Sequence, residues 1–116
     1  MPELCDVLGA YVAVQLQQSG NQNGTRLAFD GSAHSGELLV YLDNRRKAGK
    51  LVIQQVAIEP TGGNVLLPCL EELGRQYRGL GLACVVIESI FSDEWLAKLE
   101  ERGLTIRDNN AIMRVL

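Results

Sequence analysis

The segment Leu51-Val52-Ile53-Gln54-Gln55-Val56-Ala57-Ile58 constrains this chain most, because it places apolar residues on both parities of an extended strand. Such a strand is expected at the centre of a sheet, covered on both faces. Glu59-Pro60-Thr61-Gly62-Gly63-Asn64 ends it, and Val65 to Tyr77 then reads as a helix. Asn64 suits the N-cap, Pro68 falls in the tolerant first turn, and Glu71 and Glu72 precede Arg75 and Arg78 in the order the helix dipole favours. Gly79 or Gly81 is the stop. Leu82 to Ile90 is a nearly continuous apolar run rich in Val and Ile, which predicts a second buried strand. Strand, helix and strand in this order predict a right-handed parallel crossover.

Upstream, Leu4, Val7, Leu8, Tyr11, Val12, Val14 and Leu16 recur mostly at three- and four-residue intervals, predicting an amphipathic helix from about Pro2 to Gln18. The turn residues from Ser19 to Gly24 should end it. Three short strands follow, Thr25 to Asp30, Glu37 to Asp43 and Lys50 to Glu59, joined by connections short enough for an antiparallel meander. Downstream, Ser92 is a candidate N-cap with Asp93 and Glu94 behind it, Trp95, Leu96 and Leu99 form an apolar face, and Gly103 supplies a stop. Thr105 to Leu116 reads as a final strand broken at Asp108-Asn109-Asn110. The predicted fold class is therefore α/β, an α+β mixed sheet in which an antiparallel meander leads into a β-α-β crossover, a short helix and a terminal strand, all in one domain spanning 1–116.

Size and charge exclude several classes. A chain of 116 residues is enough for one core, and 47% hydrophobic with 22% charged residues is the balance of a folded domain rather than a disordered one. The net charge of -3 opposes binding to phosphate backbones, so nucleic acid is not an expected partner. Cys5, Cys69 and Cys84 have no C-x-x-C spacing and no neighbouring histidine, so no metal site is expected, and they read as free thiols in a reducing compartment. The N-terminal residues lack the basic and apolar regions of a signal peptide, and no stretch approaches the ~20 apolar residues of a membrane span. A cytoplasmic protein with no membrane contact is expected.

The order of elements, with Val56-Ala57-Ile58-Glu59-Pro60 at the end of the first parallel strand, Val85-Val86-Ile87-Glu88-Ser89 in the second and Leu99-Glu100-Glu101-Arg102-Gly103-Leu104 closing the last helix, resembles the GNAT N-acetyltransferases. The resemblance covers roughly Glu37 to Leu116. It implies that acetyl-CoA inserts where the two parallel strands splay. Val56 and Ile58 would then offer backbone groups to the pantetheine arm, and Gly62, Gly63, Asn64 and Val65 would face the pyrophosphate at a helix N-terminus. The chain departs from the family pattern in three places. Its turn is shorter and has no arginine or lysine, Leu99 stands at the position of the tyrosine that protonates the leaving thiolate, and Ser92 stands at that of a frequent asparagine. The family's first strand and one N-terminal helix have no counterpart here.

Other residues with chemical potential have plainer readings. Glu88, at the end of the second parallel strand, is a candidate general base or a strand-end carboxylate. His34 sits in a Gly/Ser-rich hairpin, Arg45, Arg46, Lys47 and Lys50 form a basic hairpin tip, and Trp95 is a core candidate or an interface anchor. Two functions follow from the resemblance. One is acyl-CoA-dependent N-acyl transfer to an unidentified amine. The other is a non-catalytic interaction or structural role, as in short chains of this kind from tailed bacteriophages, where the location would be the virion. Finally, the terminal segment Ile112-Met113-Arg114-Val115-Leu116 would expose an apolar sheet edge, and pairing across that edge predicts a homo-oligomer or a protein partner.

Overall fold

A computed structural model of the chain describes residues 3–18, 21–46, 48–60 and 65–115. They form an α+β fold: α1 (Leu4–Gln15), β1 (Asn21–Asp30), β2 (Ser35–Asp43), β3 (Gly49–Glu59), α2 (Leu66–Tyr77), β4 (Leu82–Ile87), α3 (Asp93–Glu101), β5 (Thr105–Arg107) and β6 (Asn110–Arg114). The strands make one mixed sheet in the order β1-β2-β3-β4-β6-β5. The first three are antiparallel neighbours and β3 pairs with β4 in parallel, as the meander and crossover predicted. None of the described helices is long and apolar enough to cross a membrane.

Several boundaries differ from the sequence reading. Residues 21–24, read as turn, extend β1, and a register irregularity between Asn21 and Thr25 marks where they join the ladder. The strand read through Ile90 stops at Ile87. There the Glu88 amide bonds Ile53 O at 2.9 Å, Ser89 turns to φ 58°, and the Ile90 amide reaches Asn109 O at 2.7 Å. The final strand is instead a hairpin, because Asp108 adopts φ 56° and folds β6 back between β4 and β5. This overturns the edge argument for oligomer formation. The C-terminal strand is interior, the three-residue β5 is the edge, and Met113 and Val115 pack against the core.

All three helices bury their apolar sides on one face of the sheet. Leu4, Leu8, Tyr11 and Val12 of α1 and Leu66, Leu67, Leu70 and Leu73 of α2 share one core with Leu38, Val40 and Leu42 of β2, Leu51 and Ile53 of β3, and Val85 and Ile87 of β4. Leu99 of α3 joins it beside Ala111. Val14, predicted within the α1 stripe, is exposed instead. Cys5 on α1 and Cys69 on α2 are paired as a disulfide, with Cα atoms 5.4 Å apart and thus within bonding reach. That overturns the expectation of three free thiols and leaves Cys84 unpaired. The other face of the sheet carries Leu39, Tyr41, Val52, Val86 and Ile112, none of which belongs to the helix-covered core. β3 is therefore central, yet helices cover only one of its two faces.

Candidate functional site

Where β3 and β4 part company, the sheet opens. Their ladder ends at Ile53–Ile87, and β3 runs on to Glu59 with β2 as its partner. The cause lies in β3 itself. Leu39 faces Gln55 while Val40 faces Ile53, so Gln54 is an extra residue, a bulge that bends and twists the strand. β4 meanwhile turns away at Ser89 to meet the β5–β6 turn, so backbone that would otherwise continue the parallel ladder is left facing a gap.

On the helix side the gap is a cavity of about 1080 Å³, walled by Val56 and Ile58 of β3, Val65 and Leu66 at the start of α2, and Trp95 and Leu99 of α3. On the other side is a smaller cavity of about 510 Å³ beside Leu39, Gln55, Glu88, Phe91 and Trp95. Val56, Ala57 and Trp95 line both, so the two meet at the middle of the splay. α3 closes one end. It is set there by the Ser92 hydroxyl, which accepts the Trp95 amide at 3.2 Å as an N-cap, and by an ion pair from Arg102 to Glu71 of α2 at 2.7 Å.

The structure thus brings Val56, Ile58 and Val65 together around one cavity, whereas Gly62, Gly63 and Asn64 lie outside the described residues. The predicted Asn64 cap also lies there. Val65 holds the N-cap position of α2, and no side chain caps the helix. Leu99 is buried in the cavity wall, where it supplies an apolar surface and no proton. Glu88 borders the smaller cavity, close enough to Tyr41 that its charge, together with that of Asp43, adds to burial in pushing the Tyr41 hydroxyl up from its ordinary value. His34 and Arg45 lie elsewhere. The His34 carbonyl accepts the Gly31 amide in the β1–β2 loop at 2.8 Å, and Arg45 pairs with Asp43 at 3.1 Å.

Sequence reasoning missed the role of Trp95 as the wall shared by both cavities and of Phe91 as an exposed ring, 82% accessible, at the smaller one. No sequence signal marks Phe91 as exposed, because an apolar residue just before a cap such as Ser92 usually folds back on the first helical turns. The larger cavity has apolar inner walls, with β3 along one side. Its rim holds Glu59, Glu94 and Glu101 against Lys98 and Arg102, and those two cations are already paired, with Glu94 at 3.4 Å and Glu71 at 2.7 Å. Among the described residues no cluster of His, Cys, Asp or Glu is arranged to hold a metal ion. Compared with known proteins, the chain matches no family model, no curated protein and no solved structure.

Proposed function

We propose that this chain is a divergent GNAT-type N-acyltransferase that takes its acyl group from acyl-CoA. The observation that carries this reading is the splay of β3 from β4, with cavities on both faces of the sheet meeting at Val56, Ala57 and Trp95. Such a passage lets a donor and an acceptor approach one point from opposite sides, and holding two reactants together is worth several orders of magnitude in rate. Acyl-CoA, when bound, supplies an activated thioester carbonyl. Val56 and Ile58 offer strand backbone to the pantetheine arm, and backbone N–H groups there stabilise charge on the carbonyl oxygen. Leu66, Leu99 and Trp95 keep water from the reacting carbon. With leucine at position 99, the leaving thiolate takes its proton from water, so turnover should be slow. The paired cations at the rim leave the CoA phosphates weakly held.

Trp95 is the only tryptophan, so its fluorescence reports occupation of either cavity. Titration with acetyl-CoA should change that fluorescence with a Kd of roughly 0.1–1 mM, and acetyl transfer to a panel of amines should be lost in Ala57→Trp, which fills the junction. Absence of any response at several millimolar acetyl-CoA would overturn the reading. A non-catalytic interaction protein is the second reading, and the buried leucine at position 99 favours it.

A further inference from the structure

The smaller cavity holds a carboxylate that no described residue answers. Glu88 follows the last rung of β4, and its backbone is fixed there: its amide bonds Ile53 O at 2.9 Å, and the next amide, that of Ser89, is held by Asn110 Oδ1 at 3.1 Å with Ser89 at φ 58°. The side chain is half-buried in the cavity wall. Among the described residues it makes no ion pair and no hydrogen bond. The other charged residues of that wall, Arg26 and Glu37, are 2.9 Å apart and offset one another. Cations outside the wall are distant. Lys50 stands opposite Cys84, roughly 13 Å back along the strands, with Asp43 as its other neighbour. Arg107 pairs with Asn110 on β6 and so stands two strands from Glu88, roughly 10 Å away. The cavity therefore carries one uncompensated negative charge. Beside it are two rings, Phe91, 82% exposed, and Trp95, half-buried. An aromatic ring both gains from apolar cover and attracts a cation to its face. The volume of about 510 Å³ is that of a small-molecule site.

We infer that the smaller cavity binds a primary ammonium ion with an apolar, ring-sized body, Glu88 taking the ammonium and Phe91 and Trp95 the body. A charged N–H donor repays the carboxylate for the water it loses, whereas a neutral ligand does so less well and an anion meets like charge. As a binding site this holds with or without acyl transfer. That the same amine is the acyl acceptor rests on the acyl-transfer reading: its nitrogen bonds the acyl carbon, the carbon–sulfur bond breaks, and the ammonium gives two protons to water, from which the thiolate takes one.

Titration of the full chain with 2-phenylethylamine, without acyl-CoA and at neutral pH where the amine is protonated, tests it through the emission of Trp95. The expected result is a saturable change with a Kd of roughly 1 mM, raised about tenfold or more in Glu88→Gln and about threefold in Phe91→Ala. On the wild-type chain, 2-phenylethanol and 3-phenylpropionate should bind at least about tenfold more weakly than the amine, a comparison that needs no variant to fold. Glutamine keeps the shape of Glu88 and Phe91 is exposed, so circular dichroism of both variants should match the wild type. No saturable change at about 30 mM amine overturns the inference. So does equal affinity for the alcohol or the acid, or a folded Glu88→Gln that binds the amine as the wild type does. Amine binding without any response to acetyl-CoA would uphold this site while removing acyl transfer, and the converse would remove this site alone.

Discussion

At Gly36 the backbone of β2 lies almost against that of β3. The residue has φ 154°, and a Cβ there would collide with the carbonyl oxygen of Ala57. Nothing flexible can give way, since both partners are strand backbone. Gly36→Ala should therefore destabilise the fold by about 2–3 kcal/mol, measured as a lower urea midpoint, and should disturb the junction of the two cavities through Ala57. A midpoint equal to that of wild type would show that the strands separate without cost. From the sequence, Gly36 was legible only as a loop glycine, because the close approach is made by a residue twenty-one positions away that strand pairing alone brings near. Glu3 makes the same point. Its carboxylate accepts the Ser32 amide and hydroxyl at 2.9 Å each, which holds it below the ordinary carboxylate range and ties the start of α1 to the β1–β2 loop. No periodicity signals such a contact.

Among the elements, α3 was read most closely. Ser92, Asp93 and Glu94 announced its start, and the Ser92 hydroxyl does cap it, while Gly103 at φ 95° follows its end. Replacing the cap in Ser92→Ala should cost about 1 kcal/mol. Because α3 carries Trp95 and Leu99, the same change should also red-shift Trp95 emission as the first turn frays and wets the wall shared by the cavities. An emission maximum unchanged in the variant would separate the cap from the site. The terminal strand was read less well. Asp108-Asn109-Asn110 was legible as a break, but whether the chain continues straight or folds back depends on the left-handed turn at Asp108 and on the space beside β4, into which β6 fits. The parallel strand was overextended for a similar reason. Ile90 is as apolar as Ile87 and as deeply buried, yet its amide belongs to the β5–β6 turn rather than to the ladder.

The whole molecule is a two-layer fold with a single helix layer, and its response to pH follows from what that layering buries. Burial pushes the Cys84 thiol up, with Lys50 and Arg114 opposing, and it pushes up the hydroxyls of Tyr41 and Tyr11 as well. Each group holds its proton more tightly folded than unfolded. Their contribution to stability is therefore complete below the ordinary thiol and phenol values and is lost as pH rises through those values toward the raised ones. The urea midpoint should fall from about pH 8.5 upward, and Cys84→Ala should remove the earliest part of that fall. A flat profile through the thiol range would show that Cys84 is solvated. The sequence by itself determined the meander, the strand-helix-strand unit and the last helix, because hydrophobic period, turn residues and caps act over a few residues. Val56, Ile58 and Val65, singled out only through the family resemblance, line one cavity. Only the tertiary structure decided that Gln54 bulges and β3 leaves β4, that Cys5 meets Cys69, that β6 is interior, and that Tyr41, Val52, Val86 and Ile112 form a row with no helix over it. Each of these depends on which strands become neighbours and in what register, which arises from many distant contacts at once and is written in no single segment.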